Sequence, residues 1–192
     1  VDSVEVVIGS LEPTIYRGPV LSFTTEAYAY PIQNIIATTS SSGVGMGPEK
    51  TADGSGLDEN DGHSTDGKDM WQSKSKPPQW IQFEFDHVYS LHELWVWNSN
   101  SEFESFMSFG AKDVTIEYST DGTTWTTLDG VPEFAKAPGT PGYTANTIVS
   151  FGGISGKYVK LTIEKGWGPA PAVGLSEVRF FYIPDRSRVA TP

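Results

Sequence analysis

The chain has 192 residues, 38% of them hydrophobic and 12% aromatic, with 20 Gly and 13 Pro, which suits one many-turned β domain with additional ends. The formal net charge of −11 argues against nucleic acid as a partner, because such binding depends on Lys and Arg displacing phosphate counterions. The absence of Cys excludes disulfides, a thiolate zinc site and a Cys nucleophile, and no apolar run is long enough to span a membrane.

The two ends of the chain differ in composition from its middle. Residues 1–30 contain a β-like run from Val4 to Ile8 and a second run that ends at Tyr30, and we predict an N-terminal arm or extra strand. Because the chain starts at Val1 without a signal sequence, we expect a processed or excised piece of a larger protein. Residues 185–192 are polar and end in Pro, which predicts an exit linker to another domain of the parent chain. The main domain is therefore predicted at 31–184.

Within the main domain, apolar and polar residues alternate with a period of two, which is typical of strands with one buried face. Asp121-Gly122 supplies a turn between two such runs. We predict an all-β fold, an antiparallel β-sandwich or jelly roll of about eight strands. The side chains predicted to point inward are Ile81, Phe83, Phe85, Val114, Ile116, Tyr118, Val159, Leu161 and Ile163.

Seven segments in this order, ADG, MWQS, PPQWIQFEFD, LHELWVWN, DVTIEYSTDGTTW, KYVKLTI and GLSEVRFFYI, resemble the discoidin domain. That domain is also called the coagulation-factor C-type domain, and family 32 carbohydrate-binding modules are its relatives. The resemblance covers Pro31 to Ile183 and implies an eight-stranded galactose-binding-like jelly roll, a structural calcium ion and ligand capture by loops at one rim. Many sugar-binding relatives have Arg-Gly after the WVWN strand, whereas this chain has Phe109-Gly110.

The loop after ADG is long and acidic, with six Asp or Glu between Asp53 and Asp69. Carboxylates on a Gly-rich backbone suit Ca²⁺, which takes six to eight oxygen ligands, better than zinc or copper. The resemblance implies a metal between this loop and Glu177 of the LSEV segment. The predicted calcium ligands are Asp53, Asp58, Asp61, Ser64 and Glu177, together with backbone carbonyls. The alternative is a solvated acidic loop without a metal.

Sugars are held by an aromatic ring against their apolar face and by polar groups on their hydroxyls. Trp167, between two glycines, is the first choice as the platform because we expect packing to constrain it little. Phe103, Phe106 and Phe109 either are exposed with it or fold inward. Trp71, Trp80 and Trp125 are predicted to be structural. The predicted ligand-binding residues are Trp167, Asn98, Asn100, Glu102, Phe103, Phe106 and His63.

Two functions remain open at this point. The first is a non-catalytic carbohydrate-binding module, with a structural calcium, that anchors a larger bacterial protein, secreted or on the cell surface, to a neutral polysaccharide. The second is a protein-facing adhesion or spacer module without glycan binding. An enzyme is not expected, because no G-x-S-x-G elbow and no paired catalytic carboxylates occur. Lys68, Lys74 and Lys76 form a basic island, interpreted as solvated surface.

Overall fold

The structure, a computed structural model, describes residues 28–184. The predicted exit linker and all but the last three residues of the predicted arm lie outside the described residues. Two short 3₁₀ helices, Pro48–Thr51 and Gly67–Asp69, are the only helical elements of the described part. The eight strands are β1 Tyr30–Pro31, β2 Ile36–Thr39, β3 Trp71–Gln72, β4 Gln79–Asn98, β5 Ala111–Ser119, β6 Thr126–Thr127, β7 Thr147–Gly166 and β8 Gly174–Tyr182.

The strands form two antiparallel layers because β4 and β7 are long enough to contribute to both. The first part of β4 pairs with β2 and with the second part of β7, which in turn pairs with β5. After a register shift between Glu84 and Tyr89, the second part of β4 pairs with β8 and with the first part of β7. Strands β1 and β3 extend this second layer along β8, and β6 extends the first along β5. The predicted eight-stranded antiparallel sandwich is confirmed.

The core lies between the two layers. Phe180 of the second layer meets Phe83 and Phe85 of the first, with ring centroids 5.2 and 5.1 Å apart. The inward faces predicted from alternation are confirmed: the nine side chains either lie in the buried core or, for Val114 and Tyr118, pack partly buried against it. No helix among residues 28–184 is long and apolar enough to cross a membrane.

The tryptophans divide between the core and the surface. Trp71 is fully buried, as expected of a structural residue, and Trp125 is half-buried with Lys160 Nζ 4.5 Å from its ring centroid. Trp80 differs from expectation, since it is 37% exposed. The reason is the same alternation that buries its neighbour Ile81, because adjacent side chains of a strand point to opposite faces.

The β4 segment LWVW shows the same alternation. Leu94 and Val96 point into the main core. Trp97 points out of the second layer into a smaller buried cluster with Ala137 and Tyr143. Trp95, on the same face as Trp97, is only half-buried.

Candidate functional site

Two buried amides hold the loops at the end of β4. The Asn98 Nδ2 atom donates hydrogen bonds to the carbonyl oxygens of Ala111 and Ala135, at 2.7 and 2.8 Å. Its Oδ1 accepts from the backbone N–H groups of Ser99 and Ala111. These bonds satisfy the whole amide, and the residue is fully buried. The geometry therefore gives Asn98 a scaffold position and leaves its amide no free hydrogen-bonding group for a ligand.

Asn100 has a similar position between three loops. Its Nδ2 donates to the carbonyl oxygens of Ser64 and Thr140 at 3.1 and 2.8 Å, and its Oδ1 accepts from the Gly139 N–H at 2.9 Å. The side chain is fully buried. Asn100 thus fixes the acidic loop and the segment at 139–140 against the loop that follows β4, and does not face solvent.

The loop after β4 is organised around the buried carboxyl group of Glu104. One oxygen, Oε1, accepts hydrogen bonds from Ser99 Oγ and from the Phe109 N–H, both at 2.9 Å. Burial raises the pKa of the Glu104 carboxyl, and the hydrogen bonds from Ser99 and Phe109 partly oppose that shift. A tight turn, closed by the Met107 N–H on the Phe103 carbonyl at 2.8 Å, carries the rest of the loop outward.

This turn presents two phenyl rings to solvent. Phe103 and Phe106 are 47% and 64% exposed, and their rings meet edge to face with centroids 5.7 Å apart. Phe109, closer to β5, is half-buried. Of the two alternatives left by the sequence, exposure is therefore correct for Phe103 and Phe106.

Beside Phe103 lies a cavity of about 620 Å³, here called the rim cavity. It is formed where the loop after β4 faces the second 3₁₀ helix and the chain near β3. Two of the predicted ligand-binding residues, Glu102 and Phe103, line it, and Phe109 lines it as well. The other lining residues are Met46, Thr65, Asp66, Gly67, Lys68, Gln72 and Ser101.

Trp167 is held more firmly than the sequence suggested. Its Nε1 donates to the Phe134 carbonyl at 2.8 Å, and Lys112 Nζ lies 4.7 Å from the centroid of its ring. The following glycine is packed so tightly that a Cβ there would lie 2.5 Å from the Met107 carbonyl oxygen. The expectation of weak packing was therefore wrong, although a role for Trp167 in ligand binding stays a prediction. Trp167 does not line the rim cavity.

His63 lies inside the acidic loop. It is fully buried, and its Nδ1 is 2.9 Å from the Ser64 carbonyl oxygen. A Cβ on Gly56 would lie 2.8 Å from its Nε2. The imidazole therefore packs under the backbone of the loop, and a ligand in the rim cavity would not reach it without a rearrangement.

A second, smaller cavity of about 210 Å³ lies between the acidic loop and β8. Asp53, Gly54 and Glu177 line it together with Asn34 and Arg179. Glu177 is only 4% exposed, and its Oε2 has no hydrogen-bond partner within residues 28–184. Burial, and secondly the charge of Asp53, raise the pKa of Glu177 to about 8. The structure thus brings together Asp53 and Glu177, two of the five predicted calcium ligands.

The other three predicted calcium ligands already have partners, as does Asp53, whose Oδ1 accepts from the Ser55 N–H at 2.8 Å. Asp58 Oδ1 accepts from the N–H groups of Asn60 and Gly62, both at 2.8 Å. Asp61 pairs with Arg179, and Ser64 Oγ donates to Asp69 Oδ2 at 2.7 Å. None of the three lines the cavity at Glu177. In the described part of the chain, no three His, Cys, Asp or Glu side chains lie close enough to hold a metal.

Sequence reasoning missed Met46, Gln72 and Arg179. No sequence motif identifies Met46 or Gln72 as cavity residues, because they line the cavity with Phe103 only after segments that are distant in sequence fold together. Arg179 could have been found, since the alternation in LSEVRFF places it on the same face as Glu177.

Comparison with solved structures supports the fold. The module CpGH89CBM32-5 from Clostridium perfringens, in complex with GalNAc-β-1,3-galactose, is 16% identical with a TM-score of 0.57, over 76% of this chain and 94% of that chain. A module, CBM32-3, from a family 31 glycoside hydrolase of the same organism is 18% identical with a TM-score of 0.59, over 78% and 91%. The family 32 carbohydrate-binding module of C. perfringens NanJ, in complex with galactose, is 15% identical with a TM-score of 0.52, over 80% and 99%.

The search of curated proteins found no match. A family model, by contrast, matches the sequence directly. The F5/8 type C domain matches residues 35–177, well over half of the chain and nearly all of the β-sandwich. The residues matched include strands β2 to β7, the acidic loop and Glu177. The chain therefore belongs to the F5/8 type C, or discoidin, domain family.

Proposed function

We propose that this domain is a non-catalytic carbohydrate-binding module that captures a glycan in the rim cavity. The observation that carries the proposal is the exposed Phe103 ring at the edge of a cavity of about 620 Å³. A sugar ring is recognised by an aromatic surface with a few convergent polar groups. Gln72, Thr65 and Glu102 supply an amide, a hydroxyl and a carboxylate beside Phe103.

The charges around the cavity favour a neutral glycan. Lys68 is the single cation among the lining residues, and Asp66 and Glu102 are anions beside it. An acidic polysaccharide would meet this excess of negative charge in addition to the −11 of the whole chain. For a neutral sugar, affinity depends on stacking and hydrogen bonds, so it should vary little with ionic strength.

Similar modules carry sugars in their solved structures, namely GalNAc-β-1,3-galactose in one and galactose in another. In this chain Phe109 occupies the place where the resemblance leads one to expect an Arg, and it lines the cavity. We therefore expect a larger contribution from apolar contact with the sugar, and a smaller one from charged hydrogen bonds, than an arginine-containing site would give.

We also propose a structural calcium ion at the cavity between the acidic loop and β8. Asp53 and Glu177 would hold it, with backbone carbonyls of the loop completing its shell. The support is the buried Glu177 carboxyl, whose Oε2 has no partner within the described residues. A bound cation would compensate the negative charge of the ionised Glu177 carboxylate and would fix the loop to β8. Such a module would anchor an attached bacterial protein, secreted or on the cell surface, to its polysaccharide.

The test is a glycan array on the calcium-loaded protein, followed by affinity electrophoresis in a polysaccharide that the array selects. Phe103→Ala should weaken retention about tenfold or more without lowering the melting temperature, because the ring is exposed. Val44→Ala, at a side chain that is 97% exposed and outside the cavity, is the control. Failure of the array with every glycan, or equal retention of Phe103→Ala and the native protein, would contradict the proposal.

The exposed pair Phe103 and Phe106 favours one other candidate, a protein-facing adhesion surface. The same array separates the two, since an adhesion module without glycan binding would retain no sugar.

A further inference from the structure

The outer face of the second layer carries a third cavity, lined by two tryptophans. Trp95 stands at its centre, in register with Ile148 of β7 on one side and Arg179 of β8 on the other. All three point away from the main core, because Leu94 and Val96 occupy the inward positions of β4. At one end the acidic loop covers this face, where the Trp97 Nε1 donates to the Asp61 carbonyl at 3.0 Å. At the other end Trp95 is left half-buried.

The resulting cavity, here called the outer groove, has a volume of about 330 Å³. Its lining residues are Asn60, Asp61, Trp95, Trp97, Thr144, Ala145 and Ile148. None of these lines the rim cavity or the cavity at Glu177. The outer groove is therefore a separate site, and its volume falls at the lower end of the roughly 300 to 1,000 Å³ range of ligand pockets.

The floor of the outer groove is a fixed aromatic surface. The Trp95 Nε1 donates to Glu93 Oε2 at 2.9 Å, and the Phe181 ring lies 4.8 Å from the Trp95 ring between centroids. These contacts hold the indole in one orientation, so a ligand would not have to order it. Ile148, 53% exposed, continues the apolar surface beside it.

Exposed polar groups line the edges of this floor. The Asn60 amide and the Thr144 hydroxyl are both on exposed residues. The carboxylate of Asp61 is paired with Arg179, which also lies over the Trp97 ring at 5.2 Å. Because that pair compensates the charge of Asp61, the groove presents a neutral amide and a neutral hydroxyl to a ligand. The combination of a fixed indole with these groups suits the apolar face and the hydroxyls of a pyranose ring.

We propose that the outer groove is a second glycan-binding site, one that takes a neutral hexose unit of an oligosaccharide or polysaccharide. This inference goes beyond the proposed function, which places glycan binding in the rim cavity alone. Two sites on one domain let a long polysaccharide engage both, and the second contact is then intramolecular and raises the overall affinity. An apolar surface that contacts another protein is the competing interpretation, and it predicts shifts that depend on protein concentration.

The experiment is an NMR titration of ¹⁵N-labelled, calcium-loaded protein. The probes are galactose, N-acetylgalactosamine, glucose and mannose, each as the monosaccharide and as a short oligomer. We expect two groups of shifted resonances, one that includes the Trp95 indole N–H and the Asn60 amide and one around Lys68 and Phe103. Trp95→Val should weaken binding at the first group about tenfold or more and leave the second unchanged. Trp80→Val, at an exposed tryptophan of the other layer, is the matched control.

Because Trp95 is half-buried, the double variant Asn60→Ala with Thr144→Ala provides a test that leaves the aromatic floor intact. It should also weaken the first group selectively. Shifts confined to the rim cavity would overturn the second site and leave the proposed function standing, whereas no shift with any probe would overturn both. Shifts at Trp95 that follow protein concentration, with dimers in sedimentation, would show a protein contact surface and also overturn it. Binding at the outer groove alone would instead contradict the proposed function, which places the glycan in the rim cavity.

Discussion

Asp61 and Arg179, which are 118 residues apart in the sequence, form a two-point ion pair. Arg179 Nη1 donates to Asp61 Oδ2 at 3.0 Å, and Nη2 donates to Oδ1 at 2.8 Å. These hydrogen bonds lower the pKa of Asp61 against the opposing effect of its partial burial. The pair ties the acidic loop to β8, next to the cavity that holds Glu177.

Asp61→Asn should lower the free energy of unfolding by about 1 kcal/mol, since the pair is bidentate but partly exposed. The loss should shrink at high salt, because screening weakens the native pair as well. Urea unfolding at low and high ionic strength measures both effects. Asp113→Asn is the control, because its partner Lys165 is far more exposed and the change should cost little. Equal losses in the two variants would show that the Asp61–Arg179 pair stabilises the protein no more than an exposed surface ion pair does.

Asn100→Ala should be among the most destabilising single changes in the loops. It removes three hydrogen bonds and leaves the Gly139 N–H and the Thr140 carbonyl without their partner. We expect a loss of about 2 to 4 kcal/mol in urea unfolding. Asn60→Ala, at an exposed asparagine, should cost less than about 0.5 kcal/mol. A small effect of Asn100→Ala would mean that the loops hold one another by other contacts.

Trp167→Ala should lower stability by about 2 kcal/mol, since it removes a half-buried ring and the hydrogen bond to the Phe134 carbonyl. Trp167→Phe should cost roughly 1 kcal/mol, because it keeps a ring and loses the donor. Chemical denaturation of both variants tests this order. If Trp167→Ala left the stability unchanged, the expectation from the Gly-Trp-Gly sequence, that packing constrains Trp167 little, would be correct after all.

The sequence predicted the strands well because burial in this fold follows the two-residue period of a strand. Ile81, Phe83 and Phe85 are buried as their alternation with polar residues indicated. Trp80 was predicted to be structural from the resemblance, but it is 37% exposed, as its alternation with the buried Ile81 indicates. In the loops no period exists, and position there depends on contacts between distant segments. Asn98 and Phe103, five positions apart, therefore have opposite exposures that local sequence does not distinguish.

The calcium ligands show the same limit. Composition identified an oxygen-rich loop, and the resemblance joined it to Glu177, which the structure places beside Asp53. Neither composition nor the resemblance could indicate which carboxylates form hydrogen bonds or ion pairs that stabilise the loop. Asp58 closes its own turn, and Asp61 is taken by Arg179, whose place across the sheet comes from the register of β4 and β8.

Without calcium, the stability of the protein should depend on pH through the buried carboxyl group of Glu177. With a pKa raised to about 8 from its usual 4.5, the folded, chelated protein holds a proton there that the unfolded chain has released. The stability from this proton is fully present below about pH 4.5 and is lost as the pH rises towards about 8. The loss should be of the order of 3 to 5 kcal/mol in EDTA.

Calcium should reverse this loss. A cation between Asp53 and Glu177 replaces the proton as the compensating charge, so calcium should bind more tightly as the pH rises and raise the melting temperature most near pH 8. Glu177→Gln should make the chelated protein more stable than the native chain at pH 8, and calcium should then have little effect. Calorimetry of the native protein and of Glu177→Gln from pH 5 to 8, with EDTA and with calcium, measures the pH-dependent loss, the effect of calcium and the effect of the substitution. A native protein whose transition is the same with and without calcium at pH 8 would rule out the structural metal.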